Sequence, residues 1–157
     1  MKSLIILEMK EIFPSTSSLR TIAKETSSDE PILMLLPSDG SGAYDMTSEL
    51  AELARDIVGA DSYTEIAMGA DQTETASNLV ESAIINGHWI CLKNVHLVSH
   101  WLPALERMVD QLLSESDSTT SHFRLWMTAE PLITLPLTLL QRCKKIVSEV
   151  SHSGLIW

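Results

Sequence analysis

The chain has 157 residues, of which 45% are hydrophobic and 20% are charged, and its formal net charge is −10. This composition predicts a packed globular domain and argues against a disordered chain. The acidity argues against a surface for nucleic acid or an anionic membrane, because such surfaces need clustered Lys and Arg. Cys91 and Cys143 lack C-x-x-C spacing, so we expect neither a structural zinc site nor a disulfide framework.

The first 30 residues are predicted to be an upstream segment and a linker. Residues 1–13 are typical of a short helix or strand that belongs to an upstream region. The stretch from Pro14 to Glu30 is rich in Ser and Thr around one weak helical turn. We therefore place the start of the main domain at Pro31.

Pro31 to Val58 has the pattern of a phosphate-binding strand, loop and helix. The apolar run up to Leu36 predicts a strand that is buried on both faces. A turn-rich loop, Pro37–Gly42, separates it from the predicted helix. The apolar residues of that helix are Met46, Leu50, Leu53, Ala54 and Ile57.

The loop lacks the residues that hold a phosphate. In the P-loop pattern G-x-x-x-x-G-K-[ST], the Lys contacts the β- and γ-phosphates and the hydroxyl contacts magnesium. If Gly42 is aligned with the second glycine, Ala43 and Tyr44 stand at the Lys and Ser/Thr positions, and Pro37 stands at the first glycine. The sequence thus keeps the predicted frame of a nucleotide site without its ligands.

Strands and helices alternate along the rest of the chain. The further predicted strands are Tyr63–Met68, Trp89–Leu92, Phe123–Thr128 and a fifth centred on Ile146 and Val147. The further predicted helices begin at Thr73, near Trp101 and at Pro136, and Gly87 is placed to cap the first of these. Alternation of this kind indicates right-handed crossovers and a parallel sheet, so the predicted fold is α/β, a three-layer P-loop-like domain.

The ends of the third and fourth strands are also candidate site positions. An Asp that holds magnesium should follow the third strand, but Lys93 and Asn94 stand there instead. Thr128 could sense a γ-phosphate, or it could be an ordinary strand end. The complete candidate site, which we expect to be degenerate, consists of Ser38, Asp39, Gly40, Ser41, Gly42, Ala43, Tyr44, Lys93, Asn94 and Thr128.

Three other patterns were weighed against simpler interpretations. His96 and His100 could bind a metal if they lay on one helix, but no third ligand is near in sequence, which favours ordinary polar histidines. Ser41 could be a hydrolase nucleophile, yet Asp39 stands where G-x-S-x-G needs glycine. Arg142 could be an arginine finger, or part of a solvated basic cluster with the two lysines that follow Cys143.

Five segments then occur in an order and with a spacing that are specific: PILMLLPS from Pro31, IAMG from Ile66, GHWICLKNVHL from Gly87, SHWLP from Ser99 and FRLWMTAE from Phe123. Over about residues 31–150 they resemble the sixth AAA+ module of dynein heavy chains, the D6 P-loop-like domain. The third and fifth segments are most typical of the cytoplasmic dynein-2 subclass, the retrograde motor of intraflagellar transport.

This resemblance implies the AAA+ large subdomain, with five parallel strands in the order 5-1-4-3-2. It also implies a ring of six modules in one chain, with ATP hydrolysis mainly in the first. The implied role of the sixth module is mechanical: closing the ring beside the first and transmitting shape changes toward the microtubule-binding stalk. The implied partners are neighbouring AAA+ modules, dynein complex subunits and, through the parent motor, microtubules, in the cytoplasm, cytoskeleton and cilium or flagellum.

We therefore expect a non-catalytic module, not itself an enzyme, that acts as a structural and allosteric element and needs no cofactor or metal. Residues 31–150 would be the degenerate AAA+ large subdomain. Residues 151–157 would be a tail that lacks the small helical lid of AAA+ modules, as in a fragment. The alternative is a stand-alone P-loop-like nucleotide-binding enzyme with an atypical site.

Overall fold

A computed structural model describes residues 12–13, 18–36, 46–115, 122–130 and 135–147 of the chain. The strands are β1 Ile12–Phe13, β2 Ile32–Leu35, β3 Tyr63–Ala67, β4 Trp89–Lys93, β5 Arg124–Ala129 and β6 Lys144–Val147. The α-helices are α1 Leu19–Glu25, α2 Met46–Ile57, α3 Thr73–Asn86, α4 Leu102–Ser114 and α5 Leu137–Arg142. Two 3₁₀ helices, Ala60–Ser62 and Val95–Trp101, complete the described elements.

The strands form one sheet in the order β1-β6-β2-β5-β4-β3, and each pair is parallel. If β2 is counted as the first strand, the five strands from β2 to β6 have the order 5-1-4-3-2. The predicted α/β class, parallel sheet and strand order are therefore confirmed. None of the described helices combines the length and apolar character that crossing a bilayer requires.

Helices cover both faces of the sheet, which makes β2 a buried central strand. Ile32 and Met34 pack into the core beneath α1 and α2, whereas Leu33 and Leu35 pack into the core beneath α3, α4 and α5. All four are at most 3% exposed, because successive side chains of a strand point to opposite faces. The uninterrupted apolar run of β2 follows from burial on both sides.

The predicted helix boundaries agree with the structure where they depend on residues close together in the sequence. In α3, Ala76, Val80, Ala83 and Ile84 are buried on one face. Gly87 ends that helix in the left-handed conformation, with φ 68°, and its N–H donates to the carbonyls of the last turn. Glycine adopts this conformation without the steric cost of a Cβ atom, which explains why the helix ends there.

The segment predicted as a linker contains α1, a seven-residue helix that packs into the domain. Ser18 caps it by accepting a hydrogen bond from the Thr21 N–H, and Leu19 and Ile22 are buried. Upstream of it, β1 pairs with β6, so at least residues 12–13 are part of the same sheet. The predicted loop at residues 37–42, most of the polar loop at 114–121 and the tail at 151–157 lie outside the described residues.

Candidate functional site

Ligands of parallel α/β proteins bind at the carboxyl ends of the strands, and this edge contains the candidate site. Three of its predicted residues are described: Lys93 ends β4, Asn94 follows it, and Thr128 lies near the end of β5. Seven predicted residues lie outside the described part of the chain: Ser38, Asp39, Gly40, Ser41, Gly42, Ala43 and Tyr44. The composition of the full candidate site therefore stays a prediction.

Lys93 forms an ion pair within the sheet. Its Nζ lies 2.7 Å from Oε2 of Glu65 on the neighbouring strand β3, and the two side chains are 30% and 29% exposed. The other carboxylate oxygen of Glu65 accepts a hydrogen bond of 2.9 Å from the Tyr63 hydroxyl. At the position where this fold would place a carboxylate that holds magnesium, the structure thus has a lysine. Its charge is balanced by Glu65 on the neighbouring strand.

Asn94 and Thr128 join the ends of β4 and β5. Asn94 adopts the left-handed conformation, with φ 61°, which Asn tolerates better than most residues. Its backbone N–H donates to Oγ1 of Thr128 at 2.9 Å, and Thr128 is only 2% exposed. Thr128 therefore has a structural partner at the strand end where a phosphate sensor was considered.

His96 contacts the residue that follows β5. The Glu130 N–H donates to its Nδ1 at 3.3 Å, and its Nε2 lies 3.7 Å from a Glu130 carboxylate oxygen. His100 is exposed on the same 3₁₀ helix. Within the described ranges, no group of three or more His, Cys, Asp or Glu side chains could hold a metal ion. We refer to the contacts Lys93–Glu65, Asn94–Thr128 and His96–Glu130 as the carboxyl-edge contacts.

Three basic residues at the end of α5 and the start of β6 lie at the opposite, amino edge of the sheet, and each has its own partner. Arg142 pairs with Asp110 of α4 at 2.5 Å, and this hydrogen bond raises the pKa of the guanidinium. Lys144 pairs with Glu30 at 3.2 Å. Lys145 is fully buried, its ammonium donates to the Leu140 carbonyl, and burial lowers its pKa. The interpretation as a solvated basic cluster is therefore wrong, because alternation along β6 directs Lys145 into the core.

Arg124, which begins β5, was missed by the sequence analysis. Its guanidinium donates to the carbonyls of Thr26 and Phe123, both at 2.7 Å. Arg142 also donates to the Asp29 carbonyl at 3.4 Å, and the Lys144 N–H donates to that of Pro31 at 2.8 Å. We call these contacts, together with the Arg142–Asp110 and Lys144–Glu30 ion pairs, the amino-edge clamp, because they join residues 26–31 to α4, β5 and β6. A sequence signal existed for two of the three basic residues: Arg124 begins β5 and Lys144 begins β6.

The two cysteines are not arranged as nucleophiles. Cys91 and Cys143 are at most 1% exposed, and burial raises the pKa of each thiol to about 12. They lie in the cores on opposite faces of the sheet. A reactive thiol needs a lowered pKa and access to substrate. Cys91 and Cys143 have neither.

Comparison with known proteins gives a consistent result. Residues 27–147 match the family described as dynein heavy chain region D6 P-loop domain. Similar proteins include the cytoplasmic dynein 2 heavy chain 1 of Tripneustes gratilla, at 42% identity, and those of Homo sapiens and Chlamydomonas reinhardtii, at 38% each. Each alignment covers 91% of this chain but only 3% of the relative.

These matches confirm the resemblance to dynein heavy chains and to the cytoplasmic dynein-2 subclass. They also overturn one prediction. Dynein heavy chains are ATPase motors, and the D6 region is part of them, so the prediction that the chain is not enzymatic is wrong. The absence of the P-loop Lys from one segment was an insufficient basis for classifying the protein.

Proposed function

Because this chain belongs to the dynein heavy chain D6 P-loop family, we propose that it is a structural and allosteric element of an ATP-driven motor ring. Its partners would be the neighbouring AAA+ modules of the same heavy chain, dynein complex subunits and, through the parent motor, microtubules. Its location would be the cytoplasm, the cytoskeleton and the cilium or flagellum. The names of its cytoplasmic dynein 2 relatives support this assignment.

The observation that carries the proposal is the state of the carboxyl edge. A nucleotide site in this fold presents a lysine, a hydroxyl and a magnesium carboxylate to the phosphates. Here Ala43 and Tyr44 replace the first two in the sequence. Lys93 pairs with Glu65, and Thr128 binds the backbone of Asn94. The polar groups that would bind a ligand in such a site instead connect β4 to its neighbours β3 and β5.

The magnitude of the loss supports weak or no nucleotide binding at this edge. Each charge-assisted contact is worth roughly 1.5–3 kcal/mol. If the three losses were additive, they would remove about 5–9 kcal/mol, or roughly three to six decades of affinity. A site of micromolar affinity would become millimolar or weaker.

The amino-edge clamp supports the allosteric part of the proposal. It connects the residues after α1 to α4, β5 and β6, which are distant in sequence. A displacement of α1 would therefore be transmitted to the base of the sheet through ion pairs and hydrogen bonds. Contiguous contacts of this kind can carry coupling between distant sites when the elements they join move as rigid bodies.

The test compares one substitution at each edge in the intact heavy chain. Lys144→Gln removes a clamp ion pair and is expected to lower microtubule stimulation of ATP hydrolysis about two- to thirtyfold, which corresponds to the roughly 0.5–2 kcal/mol by which single residues change coupling. Basal hydrolysis should remain, because Lys144 lies at the edge away from the predicted nucleotide site.

Two matched variants complete the design. Lys93→Gln at the carboxyl edge and Arg20→Gln on the surface between α1 and α2 are expected to leave both activities unchanged. If Lys93→Gln lowers basal hydrolysis while Lys144→Gln has no effect, the module acts as a nucleotide site and the proposal fails. A loss in all three variants alike would show that only surface charge matters, which would also contradict it.

A further inference from the structure

Strand β3 is an open edge of the sheet. Among the described residues it pairs with β4 alone, and it is the last strand in the sheet order. Thr64, Glu65 and Ala67 are exposed along it. An edge strand presents main-chain N–H and C=O groups that can pair with a further strand, so such an edge is either protected or used.

The part of the chain around this edge is strongly acidic. Residues 46–86 form α2, β3, α3 and their connections, and they contain one basic residue, Arg55. The acidic residues in the same range are Glu49, Glu52, Asp56, Asp61, Glu65, Asp71, Glu74 and Glu81. Eight carboxylates against one guanidinium give a balance of −7 within a chain whose total is −10. Two of these carboxylates pair with cations outside the range, Asp56 with Arg20 and Glu65 with Lys93, so the remaining balance is −5, half of the net charge of the protein.

Two exposed acidic residues lie close to the ends of β3 in the sequence. Asp61 lies just before β3 and Asp71 just after it, and both are exposed. Glu65, within the strand, is already paired with Lys93. An exposed carboxylate thus lies near each end of the strand, Asp61 before it and Asp71 after it.

This charge decides which occupant fits. A second copy of the chain would bring two acidic edges together, and like charges at an interface oppose association. A basic segment would be attracted to the same edge, and main-chain pairing would add affinity that does not depend on a deep pocket. We propose that β3 accepts a basic, extended segment of a partner protein as an added strand.

The experiment measures binding of a labelled ten-residue peptide of alternating Lys and Val to the purified chain. Saturable binding should weaken as salt is raised, because the attraction is electrostatic. Hydrogen exchange at residues 63–67 should slow when the peptide is bound, because their main-chain groups become paired. Asp61→Asn with Asp71→Asn should weaken binding about tenfold, at the upper end of what two exposed charges contribute.

Three controls separate strand addition from general attraction. Glu25→Gln with Glu115→Gln removes the same charge from exposed positions away from β3 and should change affinity less than twofold, since only nearby charges act strongly at moderate salt. A peptide with alternate N-methylated amides should lose binding, and a Glu–Val peptide should not bind. Equal weakening by both double variants, undiminished binding of the methylated peptide or unchanged exchange at residues 63–67 would overturn the proposal. So would the absence of binding at millimolar peptide.

Discussion

The carboxyl edge and the amino edge of the sheet, where the strands end and begin, both have polar contacts, but these contacts join different parts of the chain. At the carboxyl edge, Lys93–Glu65 and Asn94–Thr128 connect strands that are adjacent in the sheet. At the amino edge, Arg124 reaches Thr26, and Arg142 reaches Asp29, across 98 and 113 residues of sequence. The first set fixes the ends of strands, whereas the second holds the N-terminal segment onto the domain.

The difference indicates how the two edges contribute to the protein. In α/β folds the carboxyl edge usually keeps polar groups available for ligands. Here the side chains of Lys93, His96 and Thr128 each have a partner within the chain. The amino-edge clamp, in contrast, determines how α1 is joined to the sheet. Substitutions that break the contacts of one edge at a time separate these two contributions.

The largest effect is expected from Arg124→Met in the amino-edge clamp. The change removes two hydrogen bonds from a charged donor to the Thr26 and Phe123 carbonyls, so the free energy of unfolding should fall by about 3 kcal/mol. Urea denaturation of the chain measures this loss, and hydrogen exchange should show faster opening of α1. Arg20→Met is the control, because its ion pair with Asp56 is exposed and should contribute less than about 1 kcal/mol. Equal losses in the two variants would contradict the clamp.

A smaller effect is expected from Thr128→Val at the carboxyl edge. Valine keeps the shape but leaves the Asn94 N–H without its acceptor, so stability should fall by roughly 1–2 kcal/mol. The same urea measurement applies. Thr138→Val, at an exposed position with a 3.5 Å contact to Glu106, should change stability by less than about 0.5 kcal/mol. If Thr128→Val lowers the free energy of unfolding no more than Thr138→Val does, the hydrogen bond between Asn94 and Thr128 does not stabilise the fold.

The smallest effect is expected when ATP is added to the chain. Titration of the chain with labelled ATP and magnesium should show no saturation up to millimolar concentration, since the three phosphate and metal contacts are missing. Lys93→Ala should give the same curve as the parent chain. Saturation at micromolar ATP that disappears in Lys93→Ala would support the alternative of a stand-alone nucleotide-binding enzyme.

The elements of the fold could be predicted where the signal was periodic or local. The stripe of α2, the buried run of β2 and the Gly87 cap each depend on residues a few positions apart. Of the apolar residues named for the predicted helix, Ile57 is 42% exposed in the structure, because it is the last residue of α2.

The features that escaped prediction depend on tertiary contacts. Helix α1 was obscured by its Ser- and Thr-rich surroundings, although Leu19 and Ile22 are buried. The burial of Lys145 and the bond from Asn94 to Thr128 require knowledge of which strands are neighbours. Such pairings have no periodic signature in the sequence, so the site could be located to an edge but its internal partners could not be named.

The position of β2 in the sheet also has a consequence for synthesis. Its two neighbours are β5 and β6, so a strand that ends at Leu35 must wait for one that begins at Arg124. During translation, its four apolar side chains leave the ribosome long before either neighbour exists. Exposed apolar strands of this kind are prone to aggregate. Until β5 has been made, only local collapse, for example with α2, or a bound chaperone could keep these side chains away from water.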